Sequence, residues 1–171
     1  MEQYVMSLEI IRKIEGRKSM KLAEALQERA DLNAKIHDLD SRLSNNALVQ
    51  EGEKPNEDPD LLLKELNDSI DRLQELISDI NLTNCRTIVD GKSLTEMIAE
   101  KDCLTVKRAA YRDLIESASQ NTYRARGTEI KVFPTVDVKN LQKQADSIAK
   151  EIRMVDNTLQ STNWTTDLIE K

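Results

Sequence analysis

From Ser19 to Gln50 the chain contains neither glycine nor proline, and its apolar residues step by threes and fours. Leu22, Leu26, Leu32, Ile36, Leu39, Leu43 and Ala47 carry the pattern, with Arg29 as its one charged break. Such spacing puts one apolar face on one helix. An unbroken helix of about 30 residues, roughly 45 Å long, follows.

Long helices suit the rest of the chain. Of 171 residues, 33% are charged and 3% aromatic, with only 4 Gly and 3 Pro. That is poor material for a turn-rich β-fold. At 39% hydrophobic the chain is too apolar for disorder, so the core is built from Leu, Ile and Ala.

Asp58-Pro59 reads as a cap followed by proline in the first turn. It opens a second helix with the face Leu62, Leu66, Ile70, Leu73, Ile77, Ile80 and Asn84. The short connection predicts an antiparallel hairpin with a coiled-coil-like seam. Asp90-Gly91 then marks a turn, and Ser93-Leu-Thr-Glu96 is a capping box. The third helix runs to about Ser119 with the face Leu94, Ile98, Leu104, Tyr111, Ile115 and Ala118, interrupted by Lys101 and Arg108. Thr128–Phe133 alternates with period two and predicts a short strand. Asp137 starts a fourth helix through Leu141, Ala145, Ile148, Ile152, Val155, Leu159 and Thr162, the cleanest heptad of all.

These elements predict an all-α, antiparallel up-down bundle of four long helices with one short β element near 128–133. Its order places the 51–58 loop and the 120–134 link at one end, and the 87–92 turn and the 163–171 tail at the other. Net charge is 0 over residues 1–50, -8 over 51–100 and +2 over 101–171. An acidic 51–58 loop near Arg124, Arg126 and Lys131 accounts for that split. The lone strand needs a partner. Arg86–Val89 is the other strand candidate but belongs to the far end, so either the 120–134 link doubles back along the bundle or the strand pairs with a second subunit; the thin Leu/Ile core favours the second.

Much chemistry is excluded. His37 is the single histidine, and Ala34 three residues before it removes even half of a Glu-x-x-His motif. Cys85 and Cys103 form no CxxC and read as two reduced thiols. The acidic loop lacks the alternate ligands and central glycine of an EF-hand, so no metal and no cofactor is expected. Lys107, Arg108, Tyr111, Arg112, Tyr123, Arg124 and Arg126 mix cations with rings, but Asp102, Asp113 and Glu116 are interleaved, which argues against nucleic acid. No Gly-rich phosphate loop or activated nucleophile is present, and the expected protein is not an enzyme. Glu9 interrupts the short apolar stretch at the N-terminus, so no signal peptide is read there. No apolar run reaches a membrane span, and the expected location is cytoplasmic.

The polar breaks in the seams are the candidate sites. Asn46 follows Leu43 by three and Asn84 follows Ile80 by four, so both lie in register with the apolar stripes. Asn45, Asn81, Asn163 and Trp164 lie beside them. A buried Asn fixes register or oligomer state. The alternative is an amide-lined pocket at each bundle end that takes a small ligand or metal.

Several short motifs carry a resemblance: Met20-Lys-Leu-Ala-Glu-Ala-Leu-Gln-Glu-Arg-Ala-Asp-Leu32, Asn45-Asn46-Ala47 with Gln50-Glu-Gly-Glu53, Asp58-Pro59, Asn81-Leu-Thr-Asn84, Asp90-Gly-Lys-Ser-Leu-Thr-Glu96, Pro134-Thr-Val-Asp-Val138 and Asn163-Trp-Thr-Thr166. In this order they resemble a family of small bacterial helical proteins of unknown function, some of which carry the label septicolysin. The resemblance implies a helical fold and brings no activity. The residues speak against a cytolysin, with no long amphipathic β-hairpin and a single Trp.

It spans Met20 to Lys171, which divides the chain into an extension, 1–19, and one helical bundle domain, 20–171. Glu15-Gly-Arg-Lys18 can be encoded by a purine run placed like a ribosome-binding site, so translation is expected to start at Met20; mass spectrometry of the native protein tests this. The expected role is self-association as a homo-oligomer, or binding of a protein partner.

Overall fold

The computed structural model describes residues 19–119 and 133–170. Six elements follow in order: α1 (Leu22–Asn46), α2 (Pro59–Arg86), β1 (Ile88–Val89), β2 (Lys92–Ser93), α3 (Leu94–Ser119) and α4 (Val138–Thr165). The fold is all-α, with helices packed in pairs and one small sheet. The chain forms two compact units, one reaching to Arg86 and resuming at Asn163, the other covering Thr87–Thr162.

In the first unit α1 and α2 run antiparallel. Arg72 donates to both carboxylate oxygens of Glu28, at 2.7 and 3.1 Å. Seven residues on in α1 and seven back in α2, Lys35 pairs with Glu65 at 2.8 Å. The equal step on both helices sets both pairs across the same antiparallel contact. Leu22, Ala25 and Leu39 of α1 are buried, as are Leu62, Leu76 and Ile80 of α2.

The seam of α2 differs from its expected face. Ser69, Leu76 and Thr83 are buried, while Ile70 and Ile77 remain 43% and 40% exposed. Ser69 and Thr83 fit an apolar seam because each hydroxyl donates back to the carbonyl four residues earlier, that of Glu65 and of Asp79, both at 2.7 Å. In α1, Arg29 faces solvent, and Asn46 rather than Ala47 closes the stripe.

The second unit begins with a hairpin. Asp90 (φ 51) and Gly91 (φ 82) both adopt positive φ, so a type I′ turn joins β1 to β2. Ile88 pairs with Ser93 and Val89 with Lys92. β1 thus finds its partner across its own turn. Residues 128–132 of the expected strand lie outside the described residues, and Phe133 is exposed and not in a strand.

Ser93 then caps α3. Its amide and hydroxyl both donate to Glu96, at 2.7 and 2.8 Å, and its Oγ accepts from the Glu96 amide at 3.2 Å. Met97 takes the buried place expected of Ile98, which is exposed. Lys101, the charged break in the stripe, is matched across the helix pair by Asp156 at 2.5 Å. Tyr111 donates to Gln144 at 3.1 Å further along. Helix α4 follows its expected face, with Ala145, Ile148 and Leu159 buried. Its start is capped as expected, Asp137 Oδ1 accepting from the Asn140 amide at 3.0 Å.

Candidate functional site

The six amide-end candidates separate into two places within the first unit. At the loop end of the α1–α2 hairpin, Asn45 is exposed and Asn46 is buried. Asn46 Nδ2 donates to the Arg42 carbonyl at 2.9 Å, and its Oδ1 accepts the Glu57 amide at 3.0 Å. Arg42 grips the Glu57 carboxylate through two nitrogens, Nε at 3.1 Å among them. The guanidinium holds the Glu57 carboxyl below the usual carboxylate range. Gly52 (φ 90) lets the loop turn so that the Glu53 amide reaches the Gln50 carbonyl at 3.0 Å. Asp58 then caps α2 by accepting the Asp60 amide at 3.0 Å. Both acids are thus engaged inside their own hairpin, and Arg124, Arg126 and Lys131, to which the loop was expected to turn, lie outside the described residues.

At the other end of this unit the C-terminal tail is tied to both helices. Lys21 and Asp167 form an antiparallel bridge. The Leu168 amide donates to the Met20 carbonyl at 2.8 Å, and the Leu22 amide to the Thr166 carbonyl at 2.9 Å. Asp167 accepts from Lys21 Nζ and Ser19 Oγ, each at 2.7 Å, which lowers its carboxyl from the ordinary value. Leu168 is buried, and the Ile169 amide donates to Thr83 Oγ1 at 2.9 Å. Asn84 and Asn163 are half-buried at this end, Asn81 is exposed, and Trp164 is 64% exposed. The residue that organises the end is Thr83, which sequence reasoning missed; its place three heptads after Leu62 was the available signal.

The second unit holds an open groove of about 470 Å³ between α3 and α4. Ile115 and Ala145 give it an apolar lining, with Arg108, Arg112, Glu116, Ser119, Gln142 and Asp146 around it. Arg108, Arg112 and Glu116 are each one turn apart and share a helix side. Gln142 donates to Asp146 at 3.2 Å. The sequence reading grouped these arginines with Tyr111 as a mixed surface, and the apolar lining was hidden because it comes from two helices. Lys107 Nζ lies 6.0 Å from the Tyr111 ring centre. His37 is exposed. Among the described residues, no three His, Cys, Asp or Glu are placed to hold a metal, and no helix is long and apolar enough to cross a membrane.

Comparison with known proteins agrees with this architecture. Residues 29–168 match the sequence profile of a family of unknown function, DUF6847. A functionally unknown conserved protein from Corynebacterium diphtheriae, solved by crystallography, is 36% identical; the match covers 89% of this chain and 100% of that one, with a TM-score of 0.83. No curated protein matches. By sequence profile, fold and the bacterial relative together, this chain belongs to the helical family of unknown function DUF6847.

Proposed function

We propose that the protein works by self-association in the cytoplasm, as a non-enzymatic helical homo-oligomer with coiled-coil character. One observation carries the reading: large apolar side chains at heptad-related positions stay exposed. Leu63, Ile70 and Ile77, each seven residues apart on α2, are 40–46% exposed; on α3 Ile98, Val106 and Leu114, spaced by eights, are exposed as well. Apolar surface of this kind marks an interaction face. Multi-angle light scattering of the full chain is the test. The expected mass is at least twice the 19.5 kDa of one chain. A monomer at every concentration overturns the reading.

A second reading, a binder of a small ligand, finds support in the groove rather than in the Asn-rich ends. Two arginines one turn apart beside Ile115 and Ala145 suit an anion with an apolar body. NMR titration with phosphate and with benzoate tests it. Shifts at Ile115 and Ala145 that vanish in the R108Q/R112Q variant support binding, and flat titrations end this reading.

A further inference from the structure

Helix α2 carries two seams. The inner one, Leu62, Leu66, Ser69, Leu73, Leu76, Ile80 and Thr83, faces α1. One residue further round the helix runs a second line with the same alternation of fours and threes: Leu63, Asn67, Ile70, Gln74, Ile77, Asn81 and Asn84. None of these seven positions is charged, although α2 is otherwise dense in Asp, Glu, Lys and Arg. Asn67, Gln74 and Asn81 are exposed, as are Leu63, Ile70 and Ile77 that alternate with them. A solvated helix face has no reason to exclude charge over three heptads.

We propose that this outer seam is the contact between two copies of the chain, with the two α2 helices parallel and in register about a two-fold axis. The proposal rests on the self-association reading and names its surface and orientation. The chemistry of the seam selects its partner. A primary amide is both donor and acceptor, so an identical amide satisfies it, whereas an apolar partner leaves it unpaired at a cost. In heptad terms Asn67, Gln74 and Asn81 occupy a positions, and Leu63, Ile70, Ile77 and Asn84 occupy d positions. A parallel copy in register sets a against a and d against d, so each amide meets its own counterpart and each apolar residue its own. An antiparallel copy sets Asn67, Gln74 and Asn81 against Leu63, Ile70 or Ile77. A polar residue at a is also a known device for fixing register. Isoleucine at d favours assemblies of more than two helices, and two α1–α2 hairpins side by side supply four.

The test uses the full chain with Cys85→Ser and Cys103→Ser, into which Gln74→Cys is introduced. Mild oxidation is expected to convert most of the protein into a disulfide-linked dimer, because position 74 of one copy faces position 74 of the other across the axis. In the background without added cysteine, Ile70→Asp is expected to abolish the dimer while the helical circular dichroism is kept. A dimer by light scattering that neither cross-links through position 74 nor dissociates on Ile70→Asp overturns the seam but leaves self-association standing. A wild-type chain that is a monomer overturns both.

Discussion

The hydroxyl of Thr83 accepts the amide of Ile169 at 2.9 Å across 86 residues of sequence, while donating its own proton to the Asp79 carbonyl. Thr83 is fully buried, so one small side chain closes the last turn of α2 and anchors the C-terminal tail. Thr83→Val keeps the shape and strands the Ile169 amide. It is expected to lower stability by about 1–3 kcal/mol in urea denaturation and to expose the tail to carboxypeptidase. Thr83→Ser is expected to keep most of both. An unchanged midpoint for the valine variant removes Thr83 from this role.

Asn46 and Asn45 provide a matched pair at the opposite end of the hairpin. Asn46→Ala removes the acceptor for the Glu57 amide and the donor to Arg42, and is expected to cost about 1–3 kcal/mol. Asn45→Ala, at an exposed position, is expected to stay within about 0.5 kcal/mol of wild type. Equal losses by thermal unfolding contradict the assignment of Asn46 as the loop's closing residue.

Much of this architecture was legible in the sequence because the signals are local. Asp90-Gly91 demanded a tight turn, Ser93 and Glu96 a capping box, and α4 repeated its apolar residues without a break. The inner seam of α2 was legible only in part. Ile70 and Ile77 are more apolar than Ser69 and Thr83, so hydrophobicity alone drew the stripe one residue too far round. What decides burial is whether a polar group finds a partner, and the hydroxyls of Ser69 and Thr83 find one in their own helix. The α3–α4 groove and the tail clasp depend on residues that meet only after folding, and no spacing rule reaches them. Of the Asn candidates, Asn46 was placed correctly in the stripe, while Thr83 holds the buried position next to Asn84.

The capping box offers a local test. Ser93→Ala removes the hydroxyl that joins the Glu96 amide and carboxylate, and a loss of about 1 kcal/mol is expected. Hydrogen exchange should quicken first in the opening turn of α3. Faster exchange spread evenly over both units contradicts a local cap.

Acidification is expected to weaken the fold. Arg42 lowers the Glu57 carboxyl, Lys35 that of Glu65, the Ser93 amide and hydroxyl that of Glu96, and Lys21 with Ser19 that of Asp167. Each group binds its proton less readily folded than unfolded, so its contribution is complete above the ordinary carboxylate range near about pH 4 and is lost as pH falls through the lowered folded value. The melting temperature should therefore be flat near neutrality and drop below about pH 4. Glu57→Gln with Asp167→Asn should make that drop shallower; a melting temperature that rises on acidification contradicts the ion-pair assignments.

Among the described residues, a chain beginning at Met20 keeps the Met20 carbonyl, the Lys21 ammonium and every contact of the tail clasp except that of Ser19. Its melting temperature is expected to lie close to that of the full chain. A large drop by calorimetry assigns residues 1–19 a structural part.

Self-association through α2 is the central claim, and sedimentation equilibrium on wild type beside Ile70→Asp tests it most directly. The expected result is a wild-type mass of at least twice 19.5 kDa and a variant that sediments as a folded single chain. A wild type that sediments as one chain, or a variant that keeps the wild-type mass, contradicts it.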